Sequence, residues 1–259
     1  MITQEIITLT PELASNFLRS NSGNRPLSRN IVQLYSSAIK RGEWMLNGEA
    51  IAFDTSGRLV NGQHRCHAVI DAKQPINTAV VRGVDPRAFM TYDEGKRRTI
   101  GDKLGIAGEK NANVLAAAAR AFVQLETKVA ARSAFTATQA KAVIDANPDL
   151  RFWAHQFAAG KSLKKLFTSP LVGVICLAAR KYGEDPMMTF MNQLDTGVGL
   201  AADSPALMLR DKFLERTKGT AFTTDLCLAY YVKAVNAYVT KKPLKILRMK
   251  AAEQFPELV

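Results

Sequence analysis

The chain has 259 residues, 47% of them apolar, with a formal charge of +12 and three cysteines. That size can bury one generous core or two modest ones, and the composition excludes a disordered chain, a disulfide scaffold and a membrane-spanning protein. The net charge implies attraction to polyanions, foremost nucleic acid. The first residues, Met1-Ile2-Thr3-Gln4-Glu5, lack the basic start and apolar stretch of a signal peptide, so a cytoplasmic location is expected, in the host cell if the chain is phage-encoded.

In chain order, the pattern predicts a strand from Glu5 to Leu9, a helix from Pro11 to Arg19, a polar loop from Asn21 to Arg25, and a helix from Arg29 to Arg41. Two short strands, Ala50 to Asp54 and Arg58 to Val60, follow as a hairpin turning at Thr55-Ser56-Gly57. Asn61-Gly62-Gln63-His64-Arg65 then leads into a helix, and a further strand runs from Asn77 to Arg82. Beyond Gly105 only helices are predicted, about five to seven of them. They include an alanine-rich one from Asn113 to Gln124, one opened by Thr136 with Gln139 as a capping box, and starts at Ser169-Pro170 and Ser204-Pro205. Gly160, Gly183 and Gly219 read as stops. The expected fold is α+β: a small mixed-sheet domain over residues 1–105, followed by a basic all-helical domain over 106–259.

The stretch from Asn61 to Arg65 carries the most chemistry. A glycine turn opens a helix whose first backbone N–H groups have no intrahelical partner, and the helix dipole favours an anion there. His64 and Arg65 add donors and charge, and Arg65 can hold a phosphate bidentately. A salt bridge from Arg65 to Asp54 or Asp93 is the structural alternative. Asn47-Gly48 and Glu49 line the same pocket or form only a turn. Catalytic candidates are His64 and Asp93, with His64 acting as acid, base or simple donor. The cysteines Cys66, Cys176 and Cys227 read as buried apolar residues.

These residues resemble the ParB/sulfiredoxin-like fold, in its branch with a DGQHR-type motif. Gly62, Arg65 and Ala68 match the Gly-Glu-Arg-Arg pattern of ParB proteins, and Gly62, His64 and Arg65 match the Gly-Cys-His-Arg of sulfiredoxins. Gln63 stands where sulfiredoxins have their nucleophilic cysteine, which argues against sulfinic acid reduction, and where ParB proteins have a glutamate. Arg25-Pro26-Leu27, Arg41-Gly42-Glu43-Trp44, Val81 to Asp85, Asp93-Glu94-Gly95, Leu209-Arg210, Tyr230-Tyr231 to Tyr238 and Phe255-Pro256 extend the likeness to a group of ParB-like phage and prophage proteins. The resemblance implies phosphate or nucleotide binding by Gly62, Gln63, His64 and Arg65. It also implies phosphate contacts from Arg97, Arg98 and Thr99, an opposing wall made by Asp93, Arg97 and Arg98, metal ligation by Asp93 and Glu94, and a nucleoside triphosphate with magnesium as cofactor.

Two basic clusters, Lys161, Lys164 and Lys165, and then Lys241, Lys242, Lys245 and Arg248 with Lys250, are the candidate nucleic-acid contacts. Their alternative is an ordinary solvated surface. Thr138 to Trp153 fits a helix-turn-helix loosely, while Leu150, Phe152, Trp153 and Phe157 read as core. The function expected is therefore a ParB-like protein that binds a nucleotide or nucleic-acid phosphate and associates with DNA. It acts as a nucleotide-dependent clamp or as an enzyme on nucleic acid, and a homodimer is possible in either role. The alternative is a DNA-binding regulator or host-interaction protein with a degenerate pocket.

Overall fold

The structure is a computed structural model that describes residues 1–91, 98–128, 135–217, 219, 221–250 and 253–259. The chain divides into two compact units, Met1–Arg97 and Arg98–Val259. The boundary therefore falls before the helix Ile100–Ile106 rather than inside it at residue 105.

Among the described residues the first unit is a four-stranded mixed sheet with three α-helices and a short 3-10 helix, Pro86–Thr91. β1 (Thr3–Leu9), β2 (Ala50–Asp54), β3 (Leu59–Asn61) and β4 (Ile76–Val84) lie in the order β1-β4-β2-β3. The β1/β4 and β2/β3 pairs are antiparallel and β2/β4 is parallel. β1 and β4 each exceed the predicted strands: the ladder from Thr3↔Arg82 to Leu9↔Ile76 adds Thr3, Gln4 and Ile76, and the pairing of Asp54 with Val84 carries β4 past Arg82.

The helices α1 (Pro11–Arg19), α2 (Arg29–Lys40) and α3 (Gln63–Ala72) build a core on this sheet. α1 starts where Pro11 takes the first helical position and the Thr10 hydroxyl accepts the Leu13 N–H. Leu9, Phe17, Ile51, Phe53, Leu59, Cys66, Val69 and Val80 are buried together, with Phe17 edge-on to Phe53 at 4.9 Å.

The second unit holds nine helices among the described residues, more than the five to seven expected, because short α4 (Ile100–Ile106) and α8 (Leu163–Leu166) have too few turns to show a period. The others are α5 (Ala112–Thr127), α6 (Ala137–Ala146), α7 (Asp149–Ala159), α9 (Pro170–Tyr182), α10 (Glu184–Thr196), α11 (Pro205–Thr217) and α12 (Thr224–Val239). Thr136 and Gln139 form the expected capping box of α6. α9 is buried nearly all round, from Pro170 to Ala179, and is the central helix of the bundle. Leu150, Trp153 and Phe157 are core residues, whereas Phe152 is 40% exposed, because its position on α7 points away from the face that the other three share. It lies edge-on to Trp153 instead.

Close approach of α5 to α9 requires a glycine. A Cβ on Gly173 would sit 2.7 Å from the Ala118 carbonyl oxygen and 2.9 Å from the Phe122 nitrogen. Both are backbone atoms of a helix and cannot move aside cheaply. Gly173→Ala is expected to destabilise the chain by about 1–3 kcal/mol through overpacking, read as a lower urea midpoint at unchanged slope.

Candidate functional site

The hairpin delivers the chain to the glycine turn. The Asp54 carboxylate organises the β2–β3 turn by accepting from the Ser56 N–H, the Ser56 hydroxyl, the Arg58 N–H and the Arg58 Nε at 2.6–3.0 Å. The Ser56 hydroxyl, with the Arg58 groups, holds that carboxyl below the ordinary carboxylate range. Asp54 thus pairs with Arg58 and not with Arg65. Three residues past Leu59, Gly62 takes φ +104° as the N-cap of α3. A Cβ there would meet Ile51 Cγ1 at 2.8 Å and Ile51 Cα at 3.1 Å, so both backbone conformation and space demand glycine.

The next three side chains turn inward. Gln63, His64 and Arg65 are 7%, 7% and 8% exposed. Gln63 Oε1 accepts from Asn21 Nδ2 at 3.2 Å and its Nε2 donates to the Arg25 carbonyl at 2.8 Å. His64 Nε2 accepts the Ser28 N–H at 3.0 Å, so that nitrogen carries a lone pair and is not a proton donor. Asn24 completes the lacing by donating to Asn21 Oδ1 and to the Leu59 carbonyl, both at 2.6 Å. The loop of residues 20–28 is thereby wrapped on the motif. In the sequence, nothing beyond their polarity marks Asn21, Asn24 and Ser28 for this role.

Arg65 points elsewhere. Its Nη1 donates to the Glu49 carbonyl at 3.0 Å and its guanidinium lies 5.9 Å from the Trp44 ring, which is itself edge-on to Tyr35. The 47–49 segment is both a turn, with Asn47 Oδ1 accepting the Glu49 N–H, and a wall of this site. Among the described residues Arg65 has no carboxylate at salt-bridge distance, and its Nε is buried without a hydrogen-bond partner. Burial pulls its pKa below the ordinary arginine value. A buried cation with a donor left over is costly unless a counter-charge is supplied.

The remaining candidates are placed as follows. Burial pushes the Cys66 thiol up to about 12, which makes it unreactive, and all three cysteines are buried outside any disulfide. Asp93, Glu94 and Arg97 lie outside the described residues. Arg98 is exposed in the second unit, where the Thr99 hydroxyl accepts the Asp102 N–H as the cap of α4. No group of three metal-ligating side chains occurs among the described residues.

In the second unit, Lys161, Lys164 and Lys165 are exposed around α8, Lys164 donating weakly to the Ala158 carbonyl. Lys241, Lys242, Lys245, Arg248 and Lys250 are exposed along an irregular segment that follows α12. That segment is pinned from beneath: Leu247 is 5% exposed, Leu244 and Met249 pack on the core, and the Leu244 N–H donates to the Asp203 carbonyl. Lys233 braces it by donating to the Arg248 carbonyl at 2.7 Å and pairing with Glu253. The side chains of Lys242, Lys245 and Arg248 make no ion pair among the described residues. No helix of the described residues is long and apolar enough to cross a membrane.

Gln63→Leu removes both hydrogen bonds that tie residues 21–25 to α3 and strands their partners. A loss of about 1–3 kcal/mol is expected in urea unfolding, with faster amide exchange confined to residues 20–28. No family profile, curated protein or solved structure matches the chain.

Proposed function

We propose that the first unit binds a phosphate group, of a nucleotide or of a nucleic acid, beside the first turn of α3, and that the basic second unit holds DNA. The observation that carries this reading is Arg65, a buried guanidinium with an unpartnered Nε and, among the described residues, no carboxylate at salt-bridge distance, the Glu49 carboxylate acting on it only from farther off. A phosphate oxygen supplies both the missing acceptor and the missing charge. The α3 N-terminus contributes the positive end of a ten-residue helix, and Gly62 keeps its approach free of a side chain. Trp44, beside the guanidinium, offers an aromatic surface next to the phosphate position.

Within this scheme Gln63 and His64 support the site from behind, because their hydrogen bonds already hold residues 21–28. The acceptor state of His64 Nε2 makes it a positioning group for Ser28. The ParB-like resemblance accords with phosphate binding here, and a nucleoside triphosphate with magnesium is the cofactor it implies. The acidic pair that the resemblance assigns to the metal, Asp93 and Glu94, lies outside the described residues, so the fit rests on Arg65 and the α3 N-terminus alone. The exposed Lys242, Lys245 and Arg248, on a segment clamped by Leu244 and Leu247, present fixed backbone and mobile cationic tips, which suits a phosphate backbone.

A second reading rests on the inward bonds of Gln63, His64 and Arg65: the motif acts as an internal clamp for two loops, and the chain is a DNA-binding regulator or host-interaction protein without a nucleotide. Binding of labelled CTP, ATP and GTP, with and without magnesium, separates the two. The first reading expects saturable binding that Arg65→Met weakens about tenfold or more, the worth of a charge-assisted hydrogen bond of about 1.5–3 kcal/mol. Absence of binding by the folded wild-type chain favours the second reading.

DNA association is tested by a salt series. The logarithm of affinity should fall linearly with the logarithm of salt. Replacing Lys245 and Arg248 by Gln should reduce the slope by about 1 for each phosphate that is no longer neutralised. An unchanged slope would remove this segment from the interface.

A further inference from the structure

The sheet of the first unit has two edges, and the fold treats them differently. At one edge β3 is three residues long, and the register of β2 against it shifts between Ala52 and Phe53. Its main chain is also covered: the Leu59 N–H donates to the Ser20 carbonyl, and the Leu59 carbonyl accepts from Asn24 Nδ2 at 2.6 Å. A short, irregular and covered strand is how a protein keeps a sheet edge from pairing with another chain.

The opposite edge, β1, has none of these devices. It runs for seven residues, Thr3–Leu9, in unbroken register with β4, and contains no proline, glycine or lysine. Among the described residues its main chain makes no hydrogen bond outside the β4 ladder. An antiparallel ladder uses one set of N–H and C=O groups, so the other set points away from the sheet. The side chains follow the same division. Leu9 is buried under the helices and Ile7 packs there in part, whereas Ile6 alternates to the other face and is 65% exposed. Ile2, just before the strand, is 63% exposed.

Charge and symmetry select the partner. In a chain of net charge +12, β1 holds a single charged residue, Glu5, and Arg82 of β4 answers it at 3.5 Å. A polyanion finds little to grip there, and two copies can meet without the repulsion that their net charge imposes elsewhere. Identical edges join antiparallel about a twofold axis, with opposed residues on the same face of the joined sheet. The register that overlaps all of Thr3–Leu9 opposes the midpoint, Ile6, to its own copy, Gln4 to Thr8 and Glu5 to Ile7. The exposed Ile6 side chains then cover each other at the axis. A shift of two residues either opposes the two Glu5 carboxylates or centres on half-buried Ile7, and it overlaps fewer residues.

We propose that β1 is a self-association edge: two copies of the chain pair through β1 about a twofold axis at Ile6 and join their sheets in the order β3-β2-β4-β1-β1-β4-β2-β3. Pairing of one strand buries less than a standard interface, so the dimer is reversible, with a dissociation constant of about 1–100 μM. The edge is independent of Arg65, and the proposal stands or falls apart from the phosphate-binding reading above.

Sedimentation equilibrium of the full chain, carried to about 500 μM, should show monomer and dimer in exchange. Ile6→Lys and Ile6→Glu each set like charges face to face at the axis, and each should weaken dimerisation about tenfold or more. Because Ile6 is exposed, neither should move the urea midpoint, which separates lost pairing from lost folding. An equimolar mixture of the two variants should recover the dimer, since opposite charges then meet across the axis. In the wild-type chain the amides of β1 that exchange rapidly at low concentration should slow as concentration rises, while those of β3 stay unchanged. A wild-type chain that is monomeric throughout, a dimer that Ile6→Lys leaves intact, or a mixture of variants that stays monomeric overturns the proposal. The first of these outcomes would leave the edge to an extended segment of a different protein.

Discussion

The left-handed turn at Gly62 is the constraint from which the first unit is organised. It lies against Ile51 with no room for a Cβ, and it converts the direction of β3 into that of α3 within one residue. Because the turn is fixed, the three following side chains enter the protein at fixed angles, and each secures backbone distant in sequence. Gln63 holds Asn21 and Arg25, His64 holds Ser28, and Arg65 holds Glu49. Polar groups are costly to bury, and here their hydrogen bonds offset that cost by ordering loops that have little apolar surface of their own. Asp54 performs the complementary task one turn earlier, by shaping the hairpin that brings the chain to Gly62.

The lacing leaves one imbalance. Gln63 and His64 find neutral partners suited to them, whereas Arg65 is charged, buried and bonded to a single carbonyl. A low-dielectric setting strengthens the attraction of any anion that arrives and penalises the guanidinium until one does. The same sign recurs in the second unit by other means. An irregular segment held down by Leu244 and Leu247 displays Lys245 and Arg248. In both cases the cation is placed by packing nearby: Trp44 beside Arg65, and Leu247 between Lys245 and Arg248.

Local signals were readable where the cause is local. Pro11, Thr136 with Gln139, and Pro170 mark helix starts because capping and proline geometry act within one turn, whereas the Ser169 side chain makes no capping bond to α9. The glycine turn was readable because few residues other than glycine tolerate that backbone. Phe152 shows the limit: its spacing near Leu150 and Trp153 resembled a core stripe, but which face of α7 is covered depends on where the neighbouring helices lie. The short helices α4 and α8 were missed because a single turn or two cannot display a period.

For this protein the sequence determined the α+β beginning and the helical remainder, the position of the glycine turn at Gly62, and the sign of the net charge. Those follow from hydropathy period, backbone sterics and charge count, all of which are properties of short windows. Only the tertiary structure decided that Gln63 and His64 face inward to Asn21, Arg25 and Ser28, that Arg65 passes Asp54 and forms no ion pair among the described residues, and that the alanines of α5 floor a cavity. These outcomes depend on which distant loops and helix ends arrive beside a given side chain. No local pattern encodes that, because the arrival is set by packing of the whole unit.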